Sequence, residues 1–261
     1  MIDTHCHLTH ERLAGRVDQV VAAAQGAGVT AMICVATNPD DARAAVALAE
    51  RCPGVFAAVG LHPHEAQHWP DRQAVVESLR LLAGHPKVVA LGEVGLDRYY
   101  PDPPQDVQRR ALEWQLQLAA ERTATRALPM VIHGRQATAD ILALIRGSGL
   151  PGARFVFHCF TGSDAELDAI LDVGAMVSFT GIVTFKNARA LAASAARVPL
   201  DRLMLETDAP YLTPEPHRKV ASNEPRYVAE VARFLAQQRG MAVDDLAARA
   251  DANARRFFHL P

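Results

Sequence analysis

The chain has 261 residues, 49% of them hydrophobic and 21% charged, with a formal net charge of −2. This is ordinary globular composition and length enough to bury a sizeable core, which excludes a disordered or fibrous chain. The near-neutral balance excludes a globally basic nucleic-acid binder, so contact with a polyanion has to be local or carried by bound cations.

In chain order, short β-prone apolar runs alternate with helical stretches. A first strand is expected over residues 1–8 (MIDTHCHL) and a helix over 18–28, closing at Gly28. A strand follows at 31–37, then a helix over 38–54 that opens on Asn38-Pro39 and closes at Pro53-Gly54. Strands at 55–63 and 88–97 precede a helix over 105–123, whose Val107, Ala111, Trp114 and Leu118 repeat at spacings of three and four. Then come strands 129–135 and 153–160, helix 164–174, strand 175–181, helix 187–198 and strand 202–210. Two helices, 224–240 and 243–258, complete the chain. Several runs are continuous Val, Ile, Leu, Ala and Phe, as parallel strands covered on both faces require. Eight strands alternating with helices predict an α/β fold, a (β/α)8 TIM barrel, as a single domain over 1–261. An open doubly wound sheet is the rival, but no Gly-rich fingerprint follows the first strand.

Cys6, Cys34, Cys52 and Cys159 form no CxxC pair, which suits a reducing compartment and buried thiols. No basic leader precedes Asp3 and no apolar run reaches membrane-spanning length, so a cytoplasmic location is expected, without membrane association. No obligate protein partner is evident.

Placed on this barrel, the metal-ligand residue types converge. His5 and His7 end strand 1 and, two apart, point to the same side of it. Glu93 lies near the end of strand 4, His133 ends strand 5, His158 ends strand 6 and Asp208 ends strand 8. All of these ends open onto the face where barrels carry their active sites. A catalytic metal commonly takes three protein ligands and a water, so six ligands predict two divalent ions. His5, His7 and Asp208 are assigned to one, His133 and His158 to the other, with Glu93 as the bridge. One histidine in a strand is more often a hydrogen-bonded core residue than a ligand; the same coincidence on five strand ends argues for a site. Carboxylate with imidazole admits Zn, Mn, Mg or Ni.

These segments together resemble the TatD family of metal-dependent hydrolases: "DTHCHL" (3–8), "GLHPH" (60–64), "GEVGLD" (92–97), "VIHGR" (131–135), "FHCFTG" (157–162), "SFTGIVTFKNA" (178–188), "ETDAPYLTP" (206–214) and "NEPRYV" (223–228). The resemblance spans nearly the whole chain and implies the same six ligands. It also implies a phosphodiesterase, a deoxyribonuclease acting on DNA through a metal-activated water, with Asp208 taking the nucleophile's proton and Glu93 bridging. The alternative is a two-metal hydrolase of a small ester, lactone or amide; a non-catalytic metal-stabilised barrel is a third reading. Candidate substrate-binding residues are His62 and His64 at the end of strand 3, Arg135 two beyond His133, and Lys186 and Arg218 after strands 7 and 8. Glu206 is either a residue that orients a histidine ligand or half of an internal ion pair. The sequence departs from the family pattern at Arg98, directly after Asp97 where a tyrosine is usual, and between His217 and Ser222.

Overall fold

The computed structural model describes residues 1–121 and 126–261. Eight parallel strands form one sheet in sequential order: β1 (Ile2–Cys6), β2 (Ala31–Val35), β3 (Val55–Val59), β4 (Val88–Asp97), β5 (Met130–Arg135), β6 (Phe155–Phe157), β7 (Met176–Phe179) and β8 (Leu203–Leu205). Past β8 the chain returns to β1. Asp208 N donates to His5 O at 2.8 Å and His7 N to Ala209 O at 2.7 Å, which brings the two edges together as a (β/α)8 TIM barrel.

The helices are α1 (Glu11–Ala14), α2 (Val17–Gly26), α3 (Pro39–Arg51), α4 (Arg72–Leu82), α5 (Gln105–Glu121), α6 (Thr138–Ser148), α7 (Asp164–Asp172), α8 (Arg189–Arg197), α9 (Val228–Arg239) and α10 (Val243–Phe258). Their starts follow local chemistry. Asn38 caps α3 by accepting from the backbone N–H of Asp40 and Asp41, with Pro39 in the first turn. Ser163 and Glu166 form a reciprocal capping box at α7. Helices α1, α4 and α6 add to the expected set, and the last two residues of the helix expected over 105–123, Arg122 and Thr123, lie outside the described residues.

Strand parity divides the apolar residues into two cores. Met32 and Cys34 face the helices, whereas Ile33 and Val35 face the other way, into a smaller cluster with Ile2, Val89, Val131, Val156 and Met204. Phe257 and Phe258 of α10 pack into that inner cluster, and Asp251 accepts from Ile2 N at 2.7 Å, so α10 closes the end of the barrel where the strands begin. The open end, where the strands finish, is left to the polar residues.

Six strands end before the expected C-terminal limit, and β3, β6 and β8 do so by three residues or more. β3 stops at Val59, β6 at Phe157 and β8 at Leu205; past them only isolated backbone bonds continue, such as His62 N to Thr37 O, His158 N to Ile132 O and Asp208 N to His5 O. His158 and Asp208 therefore stand on loops just past their strands. Asp208 has a left-handed backbone, φ 55°, a conformation that non-glycine residues hold only when the surroundings impose it. The alternation of faces does not extend from Glu206 to Asp208: Glu206 is sealed inside while Asp208 turns into the mouth.

Candidate metal centre

Glu93 is the hub. Its strand, β4, is the longest of the eight and carries it between β3 and β5. Close β4–β5 contact depends on Gly95, whose added Cβ would fall 1.8 Å from His133 O; only glycine lets Glu93 and His133 approach as they do. The two Glu93 oxygens face different groups. Oε2 lies 3.4 Å from His5 Nε2 and 3.8 Å from His7 Nε2. Oε1 lies 2.6 Å from His158 Nε2, 2.9 Å from His133 Nδ1 and 3.5 Å from His62 Nε2.

Around Oε2 the donor atoms have the spacing that a cation requires. His5 Nε2 and His7 Nε2 face each other at 3.3 Å, and Asp208 Oδ1 is 3.3 Å from His7 Nε2 and 3.8 Å from His5 Nε2. Ligand atoms held about 2.1 Å from one ion are separated by about 3.0 to 3.4 Å at octahedral to tetrahedral angles. The tautomer of His7 is set for this: its Nδ1 is 2.8 Å from Val35 O and donates there, which leaves Nε2 as the ligand nitrogen. His5 Nδ1 is buried and, among the described residues, has no hydrogen-bond partner.

Around Oε1 the arrangement differs from the expected pairing. His133 and His158 meet through Glu93 Oε1, which stands between them as acceptor. Among the described residues, compact groups of ligand atoms are His5–His7–Glu93, His62–Glu93–His133, His64–Asp97–His133 and His5–His158–Glu206. His62, assigned from the sequence to substrate, thus sits inside the ligand cluster.

Two carboxylates behind the histidines complete the picture. Asp97 Oδ2 is 3.0 Å from His133 Nε2 and 3.0 Å from His64 Nε2, while its Oδ1 accepts from the N–H groups of Tyr99 (2.8 Å) and Tyr100 (3.3 Å). In the metal-free protein burial disfavours charge on His133, but both carboxylates outweigh it and raise the ring, which donates from Nε2 to Asp97 and from Nδ1 to Glu93; a cation bound at Nδ1 would displace that second proton. Asp97 is not among the residues expected at the site, yet it lies on β4 at two-residue spacing from Gly95 and Glu93, a parity that marks the same face. Glu206 accepts from Ser178 Oγ (2.6 Å) and Cys159 N (2.6 Å) and lies 3.6 Å from His158 Nδ1, behind the ring whose Nε2 meets Glu93.

In the metal-free protein these charges reshape the titration. Burial pushes the Glu93 carboxyl up, but the positive charge of His158 and His62 and the hydrogen bonds of His133 and His158 win and hold it well below the usual carboxylate range. Burial disfavours charge on His7; the Asp208 hydrogen bond and the charges of Asp208 and Glu93 outweigh it and raise the ring to about 9. His62 is governed by its burial and falls to about 4. Burial likewise raises Asp3, behind His5, to about 8, against the hydrogen bonds it accepts from Thr207.

A cavity of about 960 Å³ opens over the cluster, bordered by His7, Glu93, His133, Arg135, His158 and Asp208. His64 borders it too; Arg135 stands at its edge, with its guanidinium 3.7 Å over the Tyr99 ring. Lys186 is exposed on the turn after β7, and Arg218 donates to Thr213 O at 2.8 Å and stacks 3.9 Å over Phe185. Among the described residues, neither lines this cavity. Arg98, the departure from the family pattern, pairs with Asp140 of α6 away from the ligands.

The model of the TatD-related DNase family matches residues 2–259. An uncharacterized metal-dependent hydrolase TatD of Mycobacterium tuberculosis is 39% identical, with 100% of this chain and 98% of that one covered. The 3'-5' ssDNA/RNA exonuclease TatD of Dickeya dadantii is 40% identical over 99% of this chain and 97% of its own. Among solved structures, the TatD homologue YJJV of Escherichia coli superposes with a TM-score of 0.91 at 30% identity, covering 100% of this chain and 98% of that one.

Proposed function

The chain belongs to the TatD family of metal-dependent hydrolases, and from that premise we propose that it is a two-metal phosphodiesterase that trims single-stranded DNA from its 3′ end. The observation that carries the reading is Glu93, buried to 3% exposure, with one oxygen turned to His5 and His7 and the other to His133 and His158. A buried carboxylate so placed suits a bridge between two cations better than a structural ion pair, which needs one partner. The polarity and strand preference follow the relative named as a 3'-5' ssDNA/RNA exonuclease.

His5, His7 and Asp208 would hold one ion, His133 and His158 the other, and His62 stands close enough to join the second set. Bound there, divalent cations supply positive charge for the phosphoryl oxygens and a water of lowered pKa. They also account for a net-acidic protein acting on an anion. The protein's own groups do the rest. Asp208 is ionised at neutral pH: burial opposes this, but the His7 hydrogen bond and the neighbouring imidazolium charges hold its carboxyl down. It can therefore accept the proton of the attacking water. His64 and Arg135, at the cavity wall, can orient the phosphodiester and the departing oxygen.

The test is hydrolysis of 3′-labelled and 5′-labelled single-stranded oligonucleotides by chelated protein before and after Mg²⁺ or Mn²⁺ is restored, beside a panel of small esters and lactones. Stepwise loss from the 3′ end on metal addition is expected. Turnover of the small esters with intact oligonucleotides would replace the nuclease reading with the smaller-substrate one.

A further inference from the structure

Beside the metal centre lies a second cavity of about 310 Å³. It shares Gly134, Arg135, His158 and Thr161 with the main cavity, so a ligand whose phosphate lies at the metal ligands has a neighbouring space for its next group. Tyr99 and Phe160 add aromatic surface to it. Arg135 covers one side of the Tyr99 ring at 3.7 Å, yet the residue remains 53% exposed, so ring surface is left open. Aromatic rings of this kind accept the face of any nucleobase, and an adjoining guanidinium adds to the stack.

We propose that this side cavity is a nucleobase subsite, which takes the base of the terminal nucleotide while its 5′-phosphate lies at the metal centre; this rests on the nuclease reading above. Arg135 stands at the wall between the two spaces, within reach of the phosphate that joins them. A base can enter only when it is unpaired and unstacked from a partner strand. Strand selectivity would then arise from this pocket, with the metals indifferent to pairing. Beside the rings, the wall carries Gln136, Thr138, Thr161, Ser163 and Glu166; hydroxyl and amide groups both donate and accept, so they fit the edges of all four bases. Arg98, which stands directly after Asp97, turns away to Asp140, and the next residue, Tyr99, is the one whose ring lies under the Arg135 guanidinium.

The test is equilibrium binding to the metal-loaded protein of 2-aminopurine deoxyriboside 5′-monophosphate, read by fluorescence, with 2-deoxyribose 5-phosphate as competitor. The base should tighten binding by about 5-fold to 160-fold, the range of one base–aromatic stack, and quench the probe. Tyr99→Ala should reduce the gap between the two ligands to roughly twofold, and Tyr99→Phe should restore it. Equal affinity of nucleotide and sugar phosphate, or a gap that survives Tyr99→Ala, would overturn the subsite. Failure of the two proposals is separable: oligonucleotide cleavage with base-independent binding removes the subsite alone, and base-dependent binding without cleavage removes the nuclease reading alone.

Discussion

Asp97→Asn should uncouple one metal from the centre while leaving the fold in place. Asp97 is fully buried and its Oδ2 takes the Nε2–H of His133 at 3.0 Å. Asparagine has the same shape and its carbonyl oxygen can keep the N–H groups of Tyr99 and Tyr100. Its amide then presents a donor to His133 Nε2. To avoid two facing donors, neutral His133 keeps its proton on Nδ1, the nitrogen 2.9 Å from Glu93 and the one that would bind the cation. Loss of such a supporting carboxylate weakens metal binding by about 10-fold to 100-fold, or about 1.4 to 2.7 kcal/mol. Isothermal titration of the chelated protein with Mn²⁺ should show one site weakened by that factor and the other unchanged. In a His133→Ala background the same substitution should have no further effect on metal affinity. Wild-type affinity at both sites in Asp97→Asn, or additive losses in the double variant, would refute the role given to this carboxylate.

Glu93→Gln removes the charge shared by both sets of ligands, and turnover should fall by about 100-fold to 1,000-fold, the scale of removing one preorganised electrostatic group; a loss below tenfold in oligonucleotide cleavage would count against the bridge. Metal uptake should displace protons, since His7 is raised to about 9 and His133 and His158 are also raised in the metal-free state. Affinity should therefore rise with pH toward about 9, and titrations in buffers of different ionisation heat should show proton release. For the metal-free fold the sign is opposite: the raised histidines contribute stability that is complete below the unfolded histidine value near 6.5 and is lost as pH climbs through about 9, readable as a falling melting temperature. Phe258→Ala, at the closed end of the barrel, should destabilise the protein by about 3 to 5 kcal/mol in denaturant melts while metal affinity stays unchanged, because Phe258 packs in the inner core, at the end opposite the ligands.

The barrel and most of the ligand cluster were legible because both rest on short-range periodicity. Continuous apolar runs marked the strands, and two-residue spacing put His5 and His7 on one side of β1. What escaped notice depended on packing between distant segments. Helix α4 buries little more than Val75 and Leu79, and its Leu81 is 80% exposed, which blurs the stripe a helix is recognised by. Helix α6 starts without a side-chain cap, so its boundary has no local signal. The β-prone run 202–210 predicts Asp208 on a strand end, whereas β8 stops at Leu205 and the backbone bonds that join the following loop to β1 hold Asp208 in place. The position of His62 beside Glu93 and the backing of His133 by Asp97 arise from three strands meeting, and no spacing within one strand encodes that.

A two-ion centre at Glu93 is tested most directly by where cations sit. Crystals of the Mn²⁺-loaded protein, measured at the manganese edge, should show two anomalous peaks about 3.5 to 4 Å apart, one beside Glu93 Oε2 with His5, His7 and Asp208, the other beside Oε1 with His133 and His158. A phosphodiesterase-active protein with no peak at Glu93 would contradict it.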